Sequence, residues 1–349
     1  MEPGHHAYRW DLDKTYLRTE FDTLRDLVRT ALEPAWRKRT VPGAAALLRE
    51  ISATGPAGIY ILSGSPEQMR RVLEEKLRLD GVRWDRFTLK PNLRNMLRLR
   101  FRALRDQVGY KLPSLLAGRA ETEEHVTESL FGDDAEADAF VYSLYADLLA
   151  GRVGDETLLE VLRRARTYDD VVADILRLAR RLRRSADAEP RDVVRHVFIH
   201  LDRRTEPDTF ALYGRRLCPF FNYFQPALVL LEHDLLGAPA TLRVGAEMVV
   251  HHAFSPDALW ASFEDLAGRR HVSRRSAVAL LDALGTDLDA YGPAASVLAK
   301  FGAALEPSVR SLDSMPDDSP PDVIDYVTAL EQDLERRAEL KRRIRALTR

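Results

Sequence analysis

The stretch Trp10-Asp11-Leu12-Asp13-Lys14-Thr15 decides how the rest of the chain is interpreted. It continues an apolar-leaning run, Ala7 to Trp10, that we interpret as a strand, so two acids one residue apart come where that strand ends. In an open α/β sheet, ligands bind at the carboxyl ends of the strands. Asp11 and Asp13 are therefore placed to do chemistry, although a short acidic pattern on its own is also typical of a turn.

Three further polar groups follow in order, each after a predicted strand or at a predicted helix start. Gly58 to Ser63 is an apolar run that ends in a hydroxyl, and Gly64-Ser65-Pro66 then predicts a turn and the start of a helix. Lys111 opens another predicted helix. A strand from about Ser129 ends in Asp133 and Asp134, with Asp138 one helical turn later. Singly, each has an ordinary structural explanation, and the ordered set is the informative feature.

This ordered set, an aspartate pair, a hydroxyl, a lysine and a second acidic group, resembles the haloacid dehalogenase (HAD) superfamily of phosphohydrolases. The resemblance implies an α/β fold with a HAD-like Rossmannoid core and a central, mainly parallel sheet. We predict that residues 1–205 form this catalytic core and that residues 206–349 form a mostly α-helical domain. The intervals between Thr15, Ser63 and Lys111 are mostly consumed by helices and strands of the core, so no large cap domain is expected.

The resemblance implies a Mg²⁺-dependent phosphomonoester hydrolase with four catalytic residues, Asp11, Asp13, Ser63 and Lys111. Asp11 would attack phosphorus and form an aspartyl-phosphate, and Asp13 would act as general acid and then as general base. Ser63, Gly64 and Lys111 would hold the phosphoryl group of the phosphorylated substrate. Lys111 would also keep Asp11 ionised, since an adjacent positive charge favours the carboxylate.

Two carboxylates cannot hold a phosphate dianion alone, because like charges repel, so a cation is needed. The resemblance implies that this cation is Mg²⁺. Its expected ligands are Asp11, the main-chain carbonyl of Asp13, and Asp133. Asp134 or Asp138 would assist, and the segment Gly132 to Asp138 satisfies both the paired-acid and the spaced-acid variants of the superfamily. The sequence does not choose between these two residues.

A narrower resemblance concerns the substrate. Gly109-Tyr110-Lys111-Leu112, then Phe131-Gly132-Asp133, then Asp138 and Tyr142 are similar to the phosphatidate phosphatase catalytic domain family. Asp134 stands where that family has Ser, and the likeness covers only the first 145 residues or so. It implies a bulky substrate such as a lipid phosphate. The alternative from another class is a non-enzymatic module that uses the scaffold to bind a phosphorylated ligand or a protein.

The composition indicates the size of the core, the class of partner and the cellular compartment. With 349 residues, 45% of them hydrophobic, the chain can bury a sizeable core. A net charge of -2 gives no bulk electrostatic reason to expect nucleic acid as a partner. The lone Cys218 fits a reducing compartment, and without a secretory pattern or a membrane-length apolar run we predict a cytoplasmic protein. The oligomeric state stays open.

Other segments are predicted with less consequence for function. Strands are predicted over Val82–Leu89 and Val193–Leu201, and helices over about Glu20–Leu32, Asp134–Leu149 and Pro219–Leu236. The basic stretch Asn92–Gln107 is interpreted as a helix whose charges are either solvated or form a rim that attracts anions. The last helix, Pro321–Leu347, is charged almost all round, which favours solvation over a partner or peripheral membrane contact. His196 and His200 share one face of their predicted strand, and no histidine metal centre is expected.

Overall fold

The computed structural model describes residues 4–18, 34–90, 107–185, 192–314 and 323–347. Its strands are β1 (His6–Asp11), β2 (Gly58–Pro66), β3 (Arg86–Lys90), β4 (Thr127–Asp133), β5 (Val194–His200) and β6 (Leu217–Phe220). They form one parallel sheet in the order β3-β2-β1-β4-β5-β6. This arrangement confirms the predicted α/β class, a Rossmann-like core with a mostly helical C-terminal region. The predicted helix Glu20–Leu32 lies outside the described residues, as does all but the last residue of the predicted helix Asn92–Gln107.

Apolar side chains line both faces of the sheet, as expected for parallel strands that are covered on both sides. Because successive side chains of a strand point to opposite faces, Phe131 and Phe198 join one hydrophobic cluster, whereas Leu130, Val197 and Ile199 join the other. The sheet therefore sits at the centre of the molecule between two layers of helices.

The first cluster is covered by α1 (Ala44–Ala53), α2 (Arg70–Leu79), α7 (Phe224–Glu232), α8 (Ala238–His252), α9 (Pro256–Gly268), α10 (Arg274–Thr286) and α11 (Ala295–Leu305). The second is covered by α3 (Val108–Arg119), α4 (Asp138–Leu149), α5 (Asp155–Arg164), α6 (Asp169–Ser185) and α12 (Tyr326–Leu347). Among these described helices, none combines the length and the apolar content needed to cross a membrane.

Strand β6 was not predicted from the sequence. The sequence predicts a helix from Pro219, but Leu217–Phe220 is a buried strand paired with β5, and the helix begins only at Phe224. A four-residue apolar run is too short to show a period, and Pro219 is tolerated because β6 lies at the sheet edge. The division at residues 205 and 206 remains a prediction, although the sheet continues beyond it.

The strand order creates a crevice between β1 and β4. The chain builds outward from β1 to β3 and then returns to place β4 on the other side of β1, so the connections diverge above these two strands. Ligands of open α/β sheets bind at such a switch point, at the carboxyl ends of the strands. Asp11 ends β1 and Asp133 ends β4, and Trp10 is paired with Phe131 just below them.

Candidate functional site

The loop after β1 folds back immediately and holds Asp11 in the crevice. The main-chain N–H groups of Tyr16 and Leu17 both donate to the carbonyl of Leu12, at 3.0 and 2.8 Å. The Thr15 hydroxyl donates to Asp11 Oδ2 at 3.4 Å, and the Thr15 carbonyl accepts a hydrogen bond from Tyr223 Oη at 2.5 Å. Thr15 thus braces the loop, and a residue of the helical region helps to fix it.

Two serines of β2 hold the second aspartate. Ser63 Oγ donates to Asp13 Oδ2 at 2.9 Å, and Ser65 Oγ donates to the same oxygen at 3.0 Å. The segment Gly64-Ser65-Pro66, predicted as a turn, is instead the end of β2, where the pairing with β3 is irregular. Ser65 was not among the predicted site residues, although its two-residue spacing from Ser63 along a strand was the available signal. Gly64 lies between the two serines.

Lys111 enters the site from the first turn of α3. Its side chain is 1% exposed, and Nζ lies 3.0 Å from Asp11 Oδ1 and 2.8 Å from Glu136 Oε2, with a third ion pair to Asp138. The preceding Tyr110 donates from its hydroxyl to the main-chain carbonyl of Ser63 at 2.8 Å, which ties the start of α3 to β2. The predicted lysine and nucleophile therefore meet in space.

Residues 133–138, here called the acidic loop, connect β4 to α4. Asp133 Oδ1 accepts hydrogen bonds from the main-chain N–H groups of Ala135 and Glu136, at 2.7 and 3.0 Å, and the chain forms turns before it becomes helical. The predicted start of this helix at Asp134 was therefore four residues early. The main-chain N–H of Asp133 in turn donates to Asp138 Oδ2 at 3.1 Å, which brings the two ends of the loop together.

Gly132 makes the close approach of Asp138 possible. A Cβ atom at position 132 would lie 2.4 Å from Asp138 Oδ2 and 2.5 Å from Asp138 Cβ, closer than atoms in real structures come. The glycine before the acidic loop is therefore required by packing against the aspartate at its far end.

The structure distinguishes the two acids that the sequence left as alternatives. Asp138 contacts Lys111, whereas the carboxylate of Asp134 is turned to the loop after β5. Asp134 Oδ1 accepts from the N–H of Arg203 at 2.9 Å, and Oδ2 accepts from the N–H and the hydroxyl of Thr205, at 3.1 and 2.6 Å. With both oxygens occupied there, the predicted metal role of Asp134 is not supported, and the geometry favours Asp138.

Glu136 is the carboxylate that sequence reasoning missed. It lies inside the quoted acidic segment, but only the conformation of the loop brings its carboxylate to Lys111. Burial raises the pKa of Glu136, but the charge of the Lys111 ammonium and its hydrogen bond outweigh burial and lower this pKa to about 2. Together with burial, the negative charge of Glu136 in turn raises the pKa values of the nearby carboxyls of Asp11 and Asp133.

The pKa values of three other buried carboxyls, those of Asp11, Asp13 and Asp133, are raised. Burial raises the pKa of Asp11 well above its usual range, and although Lys111 opposes this, the neighbouring carboxylates add to the increase. Burial likewise raises the pKa of Asp133, and Asp138 and Glu136 contribute by repulsion. Burial also raises the pKa of Asp13. Each of these carboxylates would ionise more readily beside an added positive charge.

These residues fit a bound cation. Oxygen atoms of Asp11, Glu136 and Asp138 lie within 4.8 Å of one another, which is close enough to share one metal ion. Two buried carboxylate oxygens, Oδ1 of Asp13 and Oδ2 of Asp133, have no hydrogen-bond partner, and Oδ1 of Asp11 is contacted by the Lys111 ammonium. Buried polar atoms normally have partners, so unpartnered oxygens indicate room for a ligand. A donor set made only of oxygens suits a hard divalent cation such as Mg²⁺.

The histidines of β5 lie outside this group of ligands. His200 Nδ1–H donates to the main-chain carbonyl of Lys14 at 3.0 Å and so supports the loop after β1. His196 lies further down the strand, within 3.1 Å of Ser129 Oγ and 4.5 Å from the ring centre of His233. Burial lowers the pKa of His196 well below its usual value, which keeps the ring neutral.

No protein-family model matches the chain, and no curated protein or solved structure matches it significantly. The functional conclusion therefore comes from the geometry and chemistry of the site.

Proposed function

We propose that the protein is a phosphomonoester hydrolase that depends on a divalent cation, with Mg²⁺ the expected ion, and acts through an aspartyl-phosphate. The observation that carries this proposal is the convergence of Asp11, Ser63, Lys111 and Asp138, from four separate segments, around buried carboxylate oxygens that lack partners. Asp13 bridges the group through Ser63. Asp11 and Asp133 flank the switch point at which α/β sheets bind ligands.

In the first step, an oxygen of Asp11 attacks the phosphorus atom, a new bond forms between Asp11 and phosphorus, and the bond from phosphorus to the leaving oxygen breaks. Asp13 donates its proton to that oxygen, which departs as an alcohol. The raised pKa of Asp13, caused first by burial, supports a proton on this carboxyl at the start of the cycle. Phosphoryl transfer is thereby divided into two easier displacements.

In the second step, Asp13 takes a proton from a water molecule, and the water oxygen attacks the phosphorus of the aspartyl-phosphate. The bond from Asp11 to phosphorus breaks, inorganic phosphate leaves, and Asp11 is regenerated. The hydroxyl groups of Ser63 and Ser65 keep the Asp13 side chain aimed during both transfers. Orientation of a proton donor in this way is a recognised source of rate enhancement.

Lys111 neutralises charge on the transferred group and favours the anionic form of Asp11, opposing the burial that raises the pKa of this carboxyl. Oxygens of Asp11, Glu136 and Asp138 would hold the cation, with Asp133 and the main-chain carbonyl of Asp13 as further oxygen donors. When bound, the cation would supply compensation for the negative charge that phosphoryl transfer spreads over the non-bridging oxygens.

The direct test is hydrolysis of an aryl phosphate with and without Mg²⁺, by the wild type and by Asp11→Asn. We expect a metal-dependent rate that falls on the order of 10⁶-fold in the variant, as for loss of the nucleophile of a serine protease. Asp192→Asn is a suitable control because this exposed residue pairs only with arginines of the described structure, Arg152 and Arg216. Its rate should match the wild type.

The same experiment distinguishes the alternative class. A protein that binds Mg²⁺ and inorganic phosphate but hydrolyses none of a broad panel of phosphomonoesters would be a phospho-ligand-binding module. The panel should contain phosphatidate, because a lipid phosphate is the substrate class implied by the narrower sequence resemblance. Equal rates for the wild type and Asp11→Asn would contradict the proposed nucleophile.

A further inference from the structure

The C-terminal helix α12 lies along α4 and reaches the acidic loop. Near its start, Tyr326 Oη donates to Asp147 Oδ2 at 2.6 Å, close to the end of α4. Ten residues later, Arg336 contacts the loop that precedes α4. The ten helical steps from Tyr326 to Arg336 rise about 15 Å, close to the rise of about 13.5 Å over the nine steps of α4 from Asp138 to Asp147. The two helices are therefore antiparallel, and α12 is anchored at both ends of α4.

Arg336 holds the acidic loop through its main chain. One terminal nitrogen, Nη1, donates to the carbonyl of Asp134, and the other, Nη2, donates to the carbonyl of Glu136 at 3.1 Å. The guanidinium is itself fixed, because Nη2 also donates to Asp333 Oδ1 at 2.7 Å and its central carbon lies 5.4 Å from the ring centre of Phe210. A planar, forked donor is suited to bridging two acceptors in this way.

We infer that Arg336 is a positioning residue that holds the acidic loop in its cation-binding conformation. The loop places several carboxylates together, and their mutual repulsion favours opening of the loop. Asp134 fixes one side of it to Thr205, while Arg336 fixes the carbonyls on the side of Glu136 and adds a positive charge. The inference rests on the proposed function, since it assumes that the loop binds a divalent cation.

Arg337 provides a matched control. It is the next residue of α12, its side chain is similarly buried, and it forms an ion pair with Asp333 at 2.7 Å, so it shares a partner with Arg336. Arg336 alone of the two is described in contact with the acidic loop. A comparison of these two positions separates support of the loop from general docking of the helix.

The experiment measures Mn²⁺ binding to the full-length protein by electron paramagnetic resonance, together with thermal unfolding in EDTA. Loss of residues that orient metal ligands typically costs 10–100-fold in metal affinity, so we expect Arg336→Ala to weaken Mn²⁺ binding about tenfold. Arg336→Lys, which can keep one donor, should recover part of the affinity. Arg337→Ala should bind within about twofold of the wild type, because Arg337 has no described contact with the acidic loop and sites without contact couple weakly.

The outcomes separate the inference from the proposed function. If Arg336→Ala binds Mn²⁺ as tightly as the wild type, or if Arg337→Ala is weakened equally, the positioning role is wrong while the proposed function stands. If Arg336→Ala does not fold, the comparison of Arg336→Lys with Arg337→Ala decides in the same way. If the wild type binds no Mn²⁺, the proposed function fails, and this inference fails with it.

Discussion

Substitution of Asp133 by Asn should stabilise the metal-free protein, which is unusual for a fully buried aspartate. Asp133 Oδ1 accepts two main-chain hydrogen bonds, and an Asn oxygen can keep both. Its Oδ2 has no partner and sits among other carboxylates, and burial with this repulsion raises its pKa. The change removes a destabilising charge without removing a bond, so we expect a gain of about 0.5–2 kcal/mol in the free energy of unfolding.

Asp134→Asn is the matched control, because the neighbouring aspartate is equally buried but fully hydrogen-bonded. Its Oδ2 accepts from two donors of Thr205, and an Asn amide would face those donors with donors of its own. Hydrogen bonds to charged groups contribute about 1.5–3 kcal/mol each, so this variant should lose at least about 1.5 kcal/mol. Two adjacent aspartates should therefore respond to the same substitution with opposite signs.

Urea unfolding followed by tryptophan fluorescence, in EDTA and in Mg²⁺, measures both effects. A ligand at 100 times its Kd stabilises the native state by about 2.7 kcal/mol, and Asp133→Asn should lose most of that increment. If Asp133→Asn in EDTA is destabilised as much as Asp134→Asn, Asp133 has a structural role and the reasoning is refuted.

The pH dependence follows from the same raised pKa. The native pKa of Asp133 lies above its unfolded value of about 3.9, so between the two values the native state binds more protons than the unfolded state. The contribution of Asp133 to the free energy of unfolding is fully present below about pH 4 and is lost as the pH rises through its native pKa. The advantage of Asp133→Asn over the wild type in EDTA should therefore shrink as the pH is lowered from 7 towards about 4.

Two further substitutions test the geometry of the site. Gly132→Ala should displace Asp138, lower the free energy of unfolding by about 1–3 kcal/mol through overpacking, and abolish the stabilisation by Mg²⁺. The control is Gly154→Ala, where an added Cβ meets nothing within 4 Å, and this variant should keep the response to Mg²⁺. A Gly132→Ala protein that responds to Mg²⁺ like the wild type would contradict this packing argument. Ser65→Ala removes a hydrogen bond that lowers the pKa of Asp13, so the pH profile of aryl phosphate hydrolysis should shift to higher pH, and an unchanged profile would exclude Asp13 as the group being titrated.

The order of the chemical groups along the chain was readable because each follows a strand or begins a helix. Strand β1 contains the apolar-leaning run Ala7 to Trp10 before Asp11, and β4 carries Leu130 and Phe131 shortly before Asp133. Parallel strands present their carboxyl ends at one edge of the sheet, so these positions alone predict that Asp11, Ser63 and Asp133 lie near one another. In the structure, all three residues lie at that edge of the sheet.

The sequence by itself determined the α/β class and the placement of Asp11, Ser63 and Lys111, because local periodicity and element ends are short-range properties of the chain. Only the tertiary structure separated the contacts of Asp134 from those of Asp138, brought Glu136 to Lys111, and joined α12 to the acidic loop through Arg336. The direction of a side chain in a loop depends on which distant groups satisfy its oxygens, as Thr205 does for Asp134. Such partners are separated by many residues, and no local pattern encodes them.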